Sequence, residues 1–225
     1  MDSTVLAYDL AYSVKGENLI VLSVNYGQRH RKELAFAEAT AQRLEAEWHC
    51  VDLTSVQSLL GGSALTDERI DVPHGHYAAE TMKATVVPNR NAIMLSVATG
   101  VAVAREAIAV ATGVHAGDHA IYPDCRPEFI AAFERMALIA NEGFIHPDFV
   151  LSAPFVHKTK ADIARLGETL GVPWELTWSC YEGGEIHCGL CSTCVERREA
   201  FDLADVTDPT EYADKTESWR QVVAQ

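Results

Sequence analysis

An α/β fold built on parallel strands is what this sequence predicts, and three observations predict it. Short apolar runs alternate with segments of helical period along the 225 residues. A hydrophobic fraction of 48% is enough to bury a sizeable core, and 22% charged residues is ordinary for a globular chain,. The length suits one α/β domain, or one domain with a small appendage.

The elements follow in order. Residues 19–24 form an apolar run broken only by Ser23, as in a strand buried in a parallel sheet,. Residues 31–46 place Leu34, Ala37, Ala41 and Leu44 on one helical face,. Residues 48–53 are strand-like, and 91–104 read as a helix apolar almost all round, hence deeply packed,. A second buried strand is expected over 107–112, and a helix over 127–140 with Phe129, Ile130, Phe133, Met136, Ala137 and Ala140 on one stripe,. A short strand follows at 149–151. The helix over 159–170 has explicit ends: Thr159 and Asp162 resemble a capping box, Gly171 suits its C-cap, and Pro173 stops continuation,. The stretch 54–87 has weak periodicity and reads as a lid or an excursion. The tail beyond Asp205 is polar and expected to be loosely held.

Strand followed by helix, repeated, implies parallel strands joined by right-handed crossovers. Ligands in such sheets bind beyond the carboxyl ends of the strands. The loops at 25–30, 113–125 and 153–160 are therefore the places to look for a site.

A formal net charge of −14 argues against nucleic acid, which needs a basic face, and residues 29–32 are the only basic stretch,. No apolar run approaches the roughly 18 residues of a membrane span. The first residues are polar and acidic, without the basic region of a secretory leader, so a cytoplasmic chain acting on a small molecule is expected.

The strongest motif lies near the C-terminus. Cys180, Cys188, Cys191 and Cys194 fall within fifteen residues, while Cys50 and Cys125 stand alone. In a cytosolic chain such clustering reads as a metal site before disulfides. Cys188, Cys191 and Cys194 repeat at a spacing of three, which a tight turn running into a helix can bring to one ion, and Cys180 closes the shell. Four thiolates without a vacancy point to structural Zn²⁺. His187 could replace a thiolate, but four sulfurs already complete the shell.

Met1-Asp2-Ser3-Thr4 alone is no more than a helix start,. Taken with the rest, it looks like the end of a Ser-Gly-Gly-x-Asp-Ser loop, in which backbone N–H groups and a following helix cradle pyrophosphate. Further stretches line up with it: Asn25-Tyr26-Gly27-Gln28-Arg29-His30, Val87-Pro88-Asn89-Arg90-Asn91, Thr112-Gly113-Val114-His115, Tyr122-Pro123-Asp124-Cys125-Arg126-Pro127-Glu128-Phe129, Lys158-Thr159-Lys160, Thr177-Trp178-Ser179-Cys180-Tyr181, the cysteines, and Arg197-Arg198-Glu199-Ala200-Phe201. In this order and over nearly the whole chain, they resemble the 7-cyano-7-deazaguanine synthases of queuosine biosynthesis, within the PP-loop ATP pyrophosphatase superfamily. The departure is the missing first strand and Ser-Gly-Gly.

That resemblance implies a three-layer, adenine nucleotide alpha hydrolase-like fold with a small zinc element: an ATP-binding α/β domain over 1–175, and a Cys₄ and C-terminal helical segment over 176–225 packed on it. It implies that ATP with Mg²⁺ adenylates 7-carboxy-7-deazaguanine, that ammonia converts the adenylate to an amide, and that a second adenylation yields the nitrile. A homodimer is implied as well. Lys160 and Arg90 are the expected catalytic cations, with a surface lysine and a helix-start ion pair as the respective alternatives. Asp2, Ser3, Thr4 and Arg29 are the expected nucleotide contacts; plain capping, a dipole-stabilising acid and a solvated arginine are the rival readings. His115, Asp118, Tyr122, Asp124 and Arg126 crowd one loop and are expected to read the substrate, although Asp124 could cap the helix that begins at Pro127. Cys125 is read as a packed thiol. The rivals for the whole chain are another PP-loop ligase and a non-catalytic zinc protein whose phosphate loop is lost. The polypeptide is also expected to begin upstream of Met1, with a short apolar strand ending in Ser-Gly-Gly.

Overall fold

The computed structural model describes residues 1–59, 61–77 and 80–224. In chain order the elements are α1 (Asp2–Val14), β1 (Ile20–Asn25), α2 (Lys32–Arg43), β2 (Glu47–Asp52), α3 (Arg90–Ala104), β3 (Ala109–Ala111), α4 (Pro127–Ala140), β4 (Val150–Ser152), α5 (Lys160–Thr169), α6 (Ser192–Ala204) and α7 (Ser218–Val223). They fall into two compact units, one of residues 1–87 with 160–225 and one of residues 88–159.

In the first unit, β1 and β2 pair in parallel from Ile20 opposite Glu47 to Asn25 opposite Asp52, with α2 as the crossover. A parallel pair needs such a connection because its ends lie a strand length apart. α5 packs against α1 and α6. Gly167 is where this packing is tightest: a Cβ there would lie 2.2 Å from the Trp174 ring and 2.9 Å from Val5 of α1. Gly171, at φ +68, ends α5 as its sequence position suggests,.

In the second unit, β3 and β4 pair in parallel from Ala109 opposite Val150 to Ala111 opposite Ser152, with α4 between them in sequence. α4 buries Ile130, Phe133 and Ala137. Its bounds match the stripe read from the sequence, because a 3.6-residue period over fourteen residues leaves little room for another assignment,.

Parallel pairing is therefore as expected, but among the described residues the strands form two two-stranded sheets. Three further expectations need adjustment. α3 is less deeply packed than its apolarity suggests: Leu95, Thr99 and Ala102 are buried, while Ser96 and Gly100 are exposed. Its many small side chains lose little by meeting water. The stretch 54–87 is loop flanked by two six-residue 3₁₀ helices, Thr54–Leu59 and Glu80–Thr85, and is anchored by Ala64 and Val72 in the core of the cysteine segment; positions 60, 78 and 79 lie outside the described residues. The tail is held down, with Tyr212 and Trp219 buried and Asp208 paired to a buried arginine. Polar composition hid this, since its anchors are single residues spaced too far apart to make a pattern.

Candidate active site and metal centre

The cysteine centre is assembled from a turn, a helix start and a loop. Cys188-Gly189-Leu190-Cys191 turns tightly because Gly189 takes φ +86, and a Cβ there would come within 2.9 Å of the Asp214 carbonyl oxygen. Cys191 precedes α6, and Cys194 sits in its first turn. Cys180 arrives from the preceding loop. The four sulfurs all lie within 4.8 Å of one another, with Cys188–Cys194 at 3.9 Å and Cys180–Cys191 at 4.0 Å. Sulfurs each about 2.3 Å from a tetrahedral ion stand about 3.8 Å apart, so the set fits such an ion.

Backbone donors face two of the sulfurs. Backbone N–H groups of Cys188, Leu190 and Cys191 donate to Cys180 Sγ, Cys188 Sγ and Cys188 Sγ at 3.3, 3.4 and 3.2 Å. Hydrogen bonding among the four sulfurs divides them: led by Cys180, it draws Cys188 down to about 6 and holds Cys191 well below the ordinary thiol range, while Cys180, chiefly through Cys188, and Cys194, chiefly through Cys180, are pushed up. His187 has another task. Burial first, and the Arg197 charge next, push it down to about 3, and its Nε2 accepts from the Ser179 N–H at 3.1 Å while its ring lies 4.3 Å from that of Trp178.

A latch holds the tail beside this centre. Arg197 is fully buried, with Asp208 at 3.1 Å, Thr177 Oγ1 at 2.6 Å and the Trp174 carbonyl at 3.3 Å. The Tyr212 hydroxyl donates to Asp208 at 2.6 Å.

The same unit gathers part of the expected nucleotide site. Asp2 lies in the first turn of α1 and Lys160 begins α5; Lys160 Nζ is 3.2 Å from Asp2 Oδ2 and 2.6 Å from Glu196 Oε2. The Tyr77 ring lies 5.6 Å from that ammonium. Ser3 is exposed and Thr4 half-buried in the first turn of α1, which has no side-chain cap. Arg29 donates to the carbonyls of Asp67 and Ile70 at 3.2 and 3.1 Å, with Glu182 at 3.8 Å, so in this structure it clamps the 67–70 loop. A groove of about 330 Å³ along the C-terminal half of α1, lined by Tyr8, Tyr12 and Arg43, holds none of these residues.

The expected substrate residues lie in the second unit. His115 is buried; its ring Nδ1 accepts from the Gly117 N–H at 3.1 Å and its backbone N–H donates to Asp118 Oδ2 at 3.0 Å, a reciprocal cap of a short turn. Tyr122 is buried, with the Arg90 guanidinium 5.7 Å from its ring. Asp124 caps α3, accepting from the Asn91 N–H at 3.0 Å, and not the helix at Pro127. Arg126 is exposed and donates to the His119 carbonyl at 2.9 Å. Cys125 is buried, accepts from Asn91 Nδ2 at 3.1 Å, and is pushed up by burial, as suits a packed thiol. Glu196, Tyr77 and Asn91 were missed by sequence reasoning. Asn91 alone carried a signal, as the second residue of a helix start beside Arg90.

Comparison with known proteins assigns the chain. A family model described as "Queuosine biosynthesis protein QueC" matches residues 1–205. The chain belongs to that family. Curated relatives called 7-cyano-7-deazaguanine synthase include one from Chelativorans, 57% identical over 224 residues, and one from Ruegeria, 55% identical over 224 residues; each alignment covers 100% of this chain and 94% of the relative. One from Brucella anthropi is 56% identical over 223 residues, covering 99% and 94%. QueC family membership thus rests on a match over residues 1–205 and not on the cysteines alone. No helix among the described residues is long and apolar enough to cross a membrane.

Proposed function

We propose that this chain converts 7-carboxy-7-deazaguanine, ammonia and ATP to 7-cyano-7-deazaguanine, with AMP and diphosphate as the other products. The observation that carries this reading is the identity of 55–57% over essentially the whole chain to relatives bearing that synthase name. A carboxylate resists ammonia because its leaving group is poor. Transfer of AMP from ATP to the carboxylate oxygen releases diphosphate; ammonia then displaces AMP and leaves the amide. A second transfer to the amide oxygen, followed by loss of AMP and a proton, leaves the nitrile.

The residues divide this work by chemistry. Lys160 meets phosphate charge, Asp2, Ser3 and Thr4 at the start of α1 meet the pyrophosphate and its Mg²⁺, and Arg90 meets phosphate or carboxylate. His115, Asp118, Tyr122, Asp124 and Arg126 form the substrate loop. Arg29 acts on the nucleotide through the loop that it clamps. The four cysteines hold structural Zn²⁺, and the fold is the three-layer nucleotide-binding one of the superfamily. The chain acts as a cytoplasmic homodimer. The end of α4 favours pairing, since Met136, Leu138 and Ile139 are exposed there without a carboxylate among them.

The deciding experiment is to mix the full chain with ATP, ammonia and 7-carboxy-7-deazaguanine and to measure AMP and the nitrile. Both should appear only with all three reactants. A folded, zinc-loaded chain that forms neither would overturn the reading.

A further inference from the structure

The metal centre and the Lys160 cluster share one helix. α6 starts directly after Cys191, carries Cys194 in its first turn, and presents Glu196 two residues later. The Glu196 side chain is 10% exposed and that of Lys160 9%, so their 2.6 Å contact lies largely out of water. An ammonium has three N–H groups in fixed tetrahedral relation. Glu196 and Asp2, at 2.6 and 3.2 Å, take two of those directions, and the Tyr77 ring bounds the side chain 5.6 Å away. A flexible four-carbon stem that would otherwise sample many rotamers is thereby held in one.

We propose that Glu196 is a positioning residue: it sets the aim of Lys160, so that the four-cysteine centre, through the first turn and a half of α6, governs the geometry of the nucleotide site. A helix pinned by two metal ligands is a stiff mount, and an error of about 1 Å in placing a reacting partner can lower rates by as much as about a hundredfold. The inference rests on the reading of Lys160 as a phosphate contact.

Steady-state AMP formation by the full-length, zinc-loaded protein tests it, with E196Q, E196D, K160M and the E196Q/K160M double variant. Zinc content is measured alongside. E196Q removes the charge at constant size, and E196D keeps the charge but withdraws it by one methylene. The expected result is a fall in kcat/KM for ATP of roughly tenfold in E196Q, with zinc content and KM for 7-carboxy-7-deazaguanine unchanged. E196D should fall between E196Q and the wild type. The double variant should turn over as slowly as K160M and no slower, because Glu196 acts only through Lys160. Wild-type kinetics in E196Q beside an impaired K160M overturns the proposal and leaves the Lys160 reading standing. Independent, multiplicative losses in the double variant do the same. Wild-type kinetics in K160M removes the Lys160 reading and the proposal together. Should E196Q not fold, E196D decides: folded and fully active, it overturns the proposal; folded and slowed, with zinc bound, it supports it.

Discussion

Arg197 and Asp208 show how much one buried pair can carry. The guanidinium is fully buried, and Asp208 is its carboxylate partner there. Burial opposes ionisation of Asp208, but the Arg197 charge and donors from Tyr212 and Thr210 outweigh it, holding the carboxyl below the ordinary value of 3.8. Breaking such a pair from one side strands a buried charge, so Asp208→Asn should cost about 3–5 kcal/mol in urea unfolding at pH 7. The linkage has a definite sign. A carboxyl depressed in the folded state stabilises above its unfolded pKa, and this contribution is lost as pH falls through the folded value. Wild type should therefore lose stability below about pH 3.8 more steeply than Asp208→Asn; equal acid limbs would show that the pair is not formed. Arg90 and Lys160 differ in the same terms. Arg90→Ala should lower turnover at least about tenfold with little change in Tm. Removing Lys160 leaves Asp2 and Glu196 facing each other, so Lys160→Ala should lower both turnover and Tm, the second of which its sequence position did not suggest.

At the scale of elements, α6 and its preceding turn are the critical piece. The spacing of Cys188, Cys191 and Cys194 was legible because a turn into a helix is one of few ways to converge three thiolates. Glu196 was not legible. Val195-Glu196-Arg197-Arg198-Glu199 looks like a solvated charge run, yet Glu196 and Arg197 are buried together with Val195, and Arg198 and Glu199 are half-buried. Burial of a helix on more than one face is decided by what packs on it, and here α5, α7 and the tail do so. Most periodic elements were found within one or two residues for the opposite reason: α4 buries one simple stripe, and β1 is one short apolar run that is half-buried to buried throughout. Since metal binding energy is folding energy at such a site, Cys191→Ser should abolish stoichiometric zinc and lower Tm. Elemental analysis with calorimetry checks this, and one zinc per chain retained in the variant would exclude Cys191 as a ligand. Gly189→Ala should also lower Tm, because the substitution strains a φ of +86 and crowds the Asp214 carbonyl.

For the whole molecule the dominant quantity is charge. A net −14 makes the folded chain repel itself, and compact states suffer more than expanded ones,. Added salt screens this, since the Debye length shortens from about 30 Å at 0.01 M to about 8 Å at 0.15 M. Salt also weakens exposed pairs such as Arg220 with Asp202 and Arg165 with Asp162. Each exposed pair contributes only about 0–1 kcal/mol, however. The buried pairs Arg197–Asp208 and Lys160–Glu196 are shielded from ions and change little. The long-range repulsion therefore wins, and Tm should rise between 10 and 150 mM KCl, by about 2–4 °C for each kcal/mol relieved in a chain of this size. Differential scanning calorimetry at constant pH and zinc loading measures it. A Tm that falls over that range would mean that the surface ion pairs outweigh the acidic excess, and that the carboxylates are arranged around cations more favourably than their number implies.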